Sequence, residues 1–362
     1  MKNKKILQKF IALLLITLSF SFGALQADGK KIKVGFVYVG PVGDLGWTYR
    51  HDEGRKEVEA ELGAQVETTF VESVPEGADS ERVITKLARN GHDLIFTTSF
   101  GYMNPTNKVA KKFPKVKFEH ATGFKRAKNV SSYNARFYEG RYPVGLIAGK
   151  MTKSNILGYV ASVPIPEVIR GINAVAIAAR KVNPKVEVRV IWVNSWYDPG
   201  KEADAAKTLI NQGADVILQH TDSAAAQQVA EEKGVWSVGQ ASDMSKFAPK
   251  AHLTAIIDNW GPYYVDRVKA VINGTWKEMD SWKGLKEEWV QLSPYNKAIP
   301  ADVKKLSEDA IADIKSGKLY PFQGPIKNQK GKVIIKKGES LSDGDLLKMN
   351  YYVEGVIGDV PN

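Results

Sequence analysis

The chain has no cysteine among its 362 residues. That absence removes disulfides, thiolate metal ligands and a cysteine nucleophile together, and it also removes the lipid-bearing cysteine that tethers many exported proteins. Histidine is scarce. The five, at 51, 92, 120, 220 and 252, show no H-x-x-x-H or comparable ligand spacing, so no zinc site is expected. Long apolar runs are also lacking, and the longest, Ile11–Phe20, is short of the roughly 20 residues that a spanning helix needs. It follows Lys2, Lys4, Lys5 and Lys9 and leads through small residues to Ala27, the pattern of a cleaved Sec-type signal peptide. Cleavage is expected after Ala27, with Ala24 as the alternative, leaving a soluble, freely diffusing protein for which a periplasm is the fitting compartment. With no cysteine to staple it, the mature chain of roughly 335 residues must be stabilised by its core, and that length suffices for two ordinary domains.

Charge of one sign is in only modest excess. The formal net charge of +11 includes the four leader lysines, so +11 less four leaves +7 on the mature chain. The cations are interspersed with acids, as in Glu57–Glu61, and the densest basic stretch is Lys327–Lys337. A solvated basic surface fits an exported protein better than a nucleic-acid site.

From Lys33 onward, short β-branched or aromatic runs alternate with amphipathic stretches of a dozen or more residues, which predicts parallel sheets with crossover helices. Strands are expected at Lys33–Val39, Gln65–Val71, Leu94–Thr98, Val116–His120 and Val130–Asn134, with helices at Trp47–Leu62, Ser80–Asn90, Pro105–Phe113 and Glu139–Met151. The pattern then repeats, with strands at Leu157–Ser162, Val186–Trp192, Val216–His220, Trp236–Gly239 and Leu253–Asp258 and helices between them. Two doubly wound α/β lobes are the economical reading. The first takes residues 31–152 with about 260–285, the second 153–259 with about 286–330, and an extension over 331–362 ends in a hairpin at Val333–Tyr352. No long linker separates the halves, which suits hinge closure around a ligand.

Open α/β sheets bind ligands beyond the carboxyl ends of their strands. The residues there are Gly40–Tyr49 with Asp44 and Trp47, then Phe100 and Tyr102, then Asn134. In the second half they are Val163–Pro166, Trp196, His220, Asp222, Asp243 and Asp258. Aromatic rings and carboxylates alternate around this rim. Trp47 and Trp196, one from each half, are placed to clamp a flat heterocycle while carboxylates accept its N–H groups; the competing reading makes both indoles ordinary core residues. Asp44, Asn134, Asp222, Asp243 and Asp258 are candidate hydrogen-bonding partners, with Phe100 and Tyr102 as further rings. The glycines at 40, 43 and 46 are spaced G-x-x-G-x-x-G, not as a dinucleotide fingerprint, and no P-loop or G-x-S-x-G elbow occurs. No cofactor, metal or catalytic group is therefore expected, and an enzyme is the weaker class.

At these loops the sequence resembles the basic membrane protein family of solute-binding proteins, the purine-nucleoside receptors of ABC importers. Asp44-Leu-Gly-Trp47-Thr48 is similar to the family's Asp-x-Ser-Phe-Asn segment, with Trp in place of the stacking Phe. Ser195-Trp196-Tyr-Asp198-Pro199 resembles the segment bearing its second stacking Phe. Phe137–Arg141, Gln212–Val216 and Tyr351–Gly355 also match family patterns, so the resemblance runs over essentially the whole mature chain. It implies the type I periplasmic-binding architecture, two Rossmann-like lobes joined by a multi-strand hinge, acting as a monomer with ABC permease subunits as partners. Two departures matter: the lipid-bearing Cys is missing, and the Lys that meets ribose in nucleoside binders is replaced by Asp258-Asn259-Trp260. A carboxylate there is a poorer sugar clamp but accepts the N9–H of a free purine, so the expectation is a periplasmic nucleobase binder, adenine favoured. The alternatives are a nucleoside binder, a periplasmic sensor of the same ligand, a sugar binder of the same fold, and, more remotely, a nucleoside-processing enzyme.

Overall fold

Buried runs of β-branched and aromatic residues, of which Leu94–Thr97 and Val216–His220 are buried at every position, form strands covered on both faces. The structure is a computed structural model that describes residues 31–361; the leader expected over residues 1–27 lies outside the described residues. In chain order the strands are β1 (Ile32–Val37), β2 (Val66–Val71), β3 (Leu94–Thr97), β4 (Lys117–Ala121), β5 (Val130–Ala135), β6 (Ile156–Ala161), β7 (Glu187–Trp192), β8 (Val216–His220), β9 (Trp236–Gly239), β10 (His252–Asp258), β11 (Asp280–Lys283), β12 (Val290–Leu292), β13 (Ile326–Lys327), β14 (Val333–Ile335) and β15 (Val356–Ile357). The helices are α1 (Trp47–Leu62), α2 (Ala78–Arg89), α3 (Met103–Lys112), α4 (Phe137–Met151), α5 (Pro166–Val182), α6 (Pro199–Asn211), α7 (Ala225–Lys233), α8 (Gly261–Ile272), α9 (Ala301–Lys315) and α10 (Asp343–Leu346).

Two sheets result. One runs β2-β1-β3-β4-β5-β11, and all its pairs are parallel. The other runs β15-β7-β6-β8-β9-β10-β12, parallel except for β12 against β10. Each reverses its winding once, between β1 and β3 and between β6 and β8, and these two switch points are where loops diverge to leave a crevice. The helices obey ordinary end rules. Asp198 caps α6 by accepting the Lys201 N–H at 3.1 Å with Pro199 at the first position, and α2 has Asp79 and Glu81 in its first turn and Lys86 and Arg89 in its last.

Two expectations from sequence are corrected. Helix α4 was assigned with the first sheet, up to residue 152; it packs most extensively on α5 and also touches β10 and β12, so the chain crosses before Phe137. The cause is a close helix approach through glycine: a Cβ on Gly145 would lie 2.7 Å from the Val175 carbonyl oxygen, and one on Gly149 2.7 Å from that of Ala179. The chain crosses back between β10 and α8, which packs on α1, and again between β11 and β12, giving three crossings. The second correction is the terminal hairpin, which is built by β13 and β14 instead of spanning Val333–Tyr352. Within that span Ser342 and Asp345 form a reciprocal capping box that starts α10, and β15 then adds to the edge of β7. The extension is fastened by Arg136 to Asp343, at 2.7 and 2.8 Å, and by Arg170 donating to the Leu346 carbonyl at 2.6 Å.

Among the described residues no helix is long and apolar enough to cross a membrane. The first lobe's far side contains a fully buried carboxylate, Glu119, which accepts from Arg267 Nε (2.6 Å), Tyr263 Oη (2.6 Å) and Trp276 Nε1 (2.7 Å). Removing it strands the Arg267 guanidinium in the core, a change that costs about 3–5 kcal/mol. Urea unfolding of Glu119→Ala should therefore show a loss of that size, and a change under 1 kcal/mol would contradict the role given to this ion pair.

Candidate ligand-binding site

The loop after β1 carries the first part of the site. Asp44 accepts the N–H groups of Gly46, Thr48 and Tyr49, each at 2.9 Å, and so satisfies the N-terminus of α1. Burial pushes its carboxyl up to about 6 while those three bonds pull it down. Its oxygens thus hold the loop in shape. The adjoining Leu45 has φ of 66°, a left-handed conformation uncommon for leucine, and this turn presents Trp47 at the helix start. The Trp47 indole is fixed by its Nε1–H donating to the Thr98 carbonyl at 2.6 Å, and its ring meets His51 edge-on at 4.3 Å.

A small cavity, about 20 Å³ in volume, opens at the two switch points. The first sheet contributes Val39, Trp47, Ser99, Phe100 and Thr122; the second contributes Glu167, Trp196, His220, Asp222 and Gln240. Of the residues singled out by sequence, Trp47, Phe100, Trp196, His220 and Asp222 meet here. The others do not line it. Tyr102 turns into the helical layer and donates to the Val74 carbonyl at 2.5 Å. Asn134 is buried in β5, Asp243 is exposed and caps the turn at Ser245 (2.9 Å), and Asp258 is fully buried at the end of β10. Glu167 and Gln240 were missed. Both directly follow the expected strand-end segments, Glu167 after Pro166 and Gln240 after Gly239, which was the available signal.

The lobes meet directly across this cavity. Gly46 lies so close to Asp222 that a Cβ on it would sit 2.8 Å from the Asp222 Cα and against its carbonyl oxygen. The Trp47 backbone N–H donates to the Asp222 carboxylate, Ser242 Oγ donates to the Leu45 carbonyl, and Arg50 Nε donates to the Asp258 carbonyl at 2.6 Å. The cleft is therefore closed.

Electrostatically the walls are acidic. Asp222 is held well above the carboxylate range by burial, then by Asp44, Glu202 and Asp258. Burial raises Glu167 to about 7, against the pull of Arg170 and Arg141. His220 is driven well below its usual value by burial and by the same two arginines, so it is a neutral imidazole, with Nε2 3.8 Å from Glu167 Oε1. Fully buried Arg141 donates to the Gln219 carbonyl at 2.9 Å and to the Gln240 side-chain oxygen. Asp222 Oδ2, Glu167 Oε2, His220 Nδ1 and both Asp258 oxygens have no hydrogen-bond partner among the described residues. Buried acceptors in that state call for donors, and a ligand bearing N–H or O–H groups supplies them. No group of acids and histidines among the described residues is arranged to hold a metal ion.

Two outcomes test this geometry. Gly46→Ala puts backbone-directed bulk into the interlobe contact, so solution scattering should show a larger radius of gyration with unchanged circular dichroism; an unchanged radius would mean that this contact does not set closure. Glu167 ionises near 7 in the folded chain and near 4.5 when unfolded, so its protonated form stabilises the fold below about 4.5 and that contribution is lost as pH rises through about 7. The unliganded protein should accordingly lose thermal stability from pH 5 to 8, and Glu167→Gln should flatten that slope.

Comparisons with known proteins agree with this architecture. Residues 31–330 match the family described as ABC transporter substrate-binding protein, PnrA-like. The chain is 61% identical over 339 residues to a purine-binding protein of Brucella abortus, covering 94% of this chain and 96% of that one. It is 36% identical over 341 residues to a putative ABC transporter glucose-binding protein of Haloferax volcanii, covering 94% and 84% respectively. Among solved structures, an ABC transporter solute-binding protein from Aeropyrum pernix K1 superposes with a TM-score of 0.71 at 22% identity, over 82% of this chain and 93% of that chain, a likeness of fold. With its type I periplasmic-binding fold and its closed interlobe cleft, this chain belongs to the basic membrane protein family, the PnrA-like substrate-binding proteins of ABC transporters.

Proposed function

We propose that the protein captures a free purine base, adenine favoured, in the periplasm and presents it to the permease subunits of an ABC importer. The observation that carries the reading is the pairing, in one cavity, of an indole from each lobe with buried carboxylate oxygens that have no partner among the described residues. Trp47 and Trp196 stack on the two faces of the heterocycle, and Asp222 on the cavity wall accepts its N–H groups. Phe100 adds a third ring. Asp44 acts through the loop it shapes, while Tyr102, Asn134 and Asp243 support the surrounding structure. The purine-binding relative from Brucella abortus supports the substrate class. Asp258 stands where nucleoside binders of this family have a lysine, so the cation that would hold ribose is missing, which favours a base over its nucleoside. A ligand that satisfies the acidic groups favours the closed form, which is what the permease reads. Chemistry on the ligand is not expected, since no wall residue is arranged as a nucleophile with its base.

The relative described as glucose-binding gives a second reading, a sugar, that the same experiment separates. Calorimetric titration with adenine, adenosine and glucose should show adenine binding at least about tenfold tighter than adenosine, and no heat with glucose. Trp196→Ala should weaken adenine by about 1–3 kcal/mol, the usual worth of one base–aromatic stack. Tighter binding of adenosine, or of glucose, would sink the proposal.

A further inference from the structure

We propose that Glu167 is the specificity-determining residue of the cleft, and that it selects planar heterocycles bearing an exocyclic amino group on the six-membered ring over those bearing a carbonyl there. This rests on the reading of the ligand as a purine base and adds the residue that chooses among such bases.

The argument starts from the separation of the two acids on the cavity wall. Asp222 stands at the seam between lobes, taking the Trp47 backbone N–H and surrounded by Asp44, Glu202 and Asp258. Glu167 stands on the second lobe alone, at the start of α5, in the company of Arg141, Arg170 and His220. A flat ligand held between the indoles therefore meets one acid at the closing loop and another on the second lobe's wall, and must offer a donor to each.

What Glu167 demands follows from its bonding. Its side chain is 9% exposed, Oε1 lies 3.8 Å from the neutral His220 ring, and Oε2 has no partner among the described residues. Beside it Gln240 has spent its amide oxygen on Arg141, which leaves its N–H groups to donate. The wall thus offers an acceptor next to a donor. An amino group beside a ring nitrogen satisfies both, as a carboxamide does when it reads adenine by two bonds. A carbonyl at the same place sets oxygen against carboxylate oxygen and leaves a buried acceptor unmatched, which is the more effective half of discrimination. Arg141 and Arg170 keep the ionised form accessible without entering the cavity wall.

The test is a fluorescence or calorimetric titration at pH 8 of the whole mature protein with adenine, 2-aminopurine, hypoxanthine and xanthine, repeated with Glu167→Gln. The wild type should bind the two amino compounds at least about tenfold tighter than the two carbonyl compounds. Glu167→Gln, which supplies both a donor and an acceptor in the same volume, should narrow that ratio to within about threefold while its circular dichroism stays unchanged. Equal binding of hypoxanthine and adenine by the wild type would overturn the inference without needing the variant, as would a variant that folds and keeps the wild-type ratio. A preference for the carbonyl compounds would mean that Glu167 donates as a neutral acid, and overturns it too. If adenine binds without discrimination, this inference alone fails; if only adenosine or glucose binds, the purine-base reading fails with it.

Discussion

Backbone meets backbone where Gly46 touches Asp222, and the rest of the site depends on that contact. One loop leaves β1 and the other leaves β8, so the contact joins the two switch points directly. It brings Trp47 and Trp196 to a single cavity, and it delivers the Trp47 N–H to the Asp222 carboxylate. Only a residue without a side chain fits at position 46, which makes the approach a steric condition rather than an electrostatic one. The neighbouring strain at Leu45, φ 66°, is held by Asp44 on one side and by Ser242 across the cleft. Local strain of this kind is retained where the surrounding structure over-determines it.

The closed cleft concentrates acid. Asp44, Asp222, Glu167 and Asp258 are buried together with Arg141, and three of the four have carboxylate oxygens that no described residue satisfies. Buried charge without partners opposes folding, so this arrangement is a poor choice for stability and a good one for recognition. It is tolerable in a hinged protein because opening returns the acids to water and closing around a donor-rich ligand pairs them. His220 on the cavity wall is neutral, and the Arg141 guanidinium is spent on Gln219 and Gln240. Three crossings join the two sheets, and α4 and the C-terminal extension pack on the second.

Much of this was legible in the residues. The alternation of buried runs with amphipathic helices gives both sheets nearly strand by strand, and α1, β8 and β9 fall at the expected residues. Trp47, Phe100, Trp196 and Asp222 were readable as cavity residues because strand ends at a switch point must face the crevice. The errors have identifiable causes. Tyr102 does not line the cavity, because its ring turns into the helical layer, where its hydroxyl donates to the Val74 carbonyl. The terminal hairpin is shorter than expected because the capping box at Ser342 starts a helix, and α4 packs on α5 through the close approach at Gly145 and Gly149.

The sequence by itself determined the elements, their parallel order and the ring of aromatic and acidic residues at the strand ends, because periodicity, capping and turn chemistry act over a few neighbouring residues. Tertiary structure alone decided which acids stay unpaired, that Asp44 serves its own helix while Glu167 faces the cavity, and that the lobes lock at Gly46. Those outcomes depend on distances between segments more than a hundred residues apart, and on a local dielectric that exists only once both lobes have folded and closed.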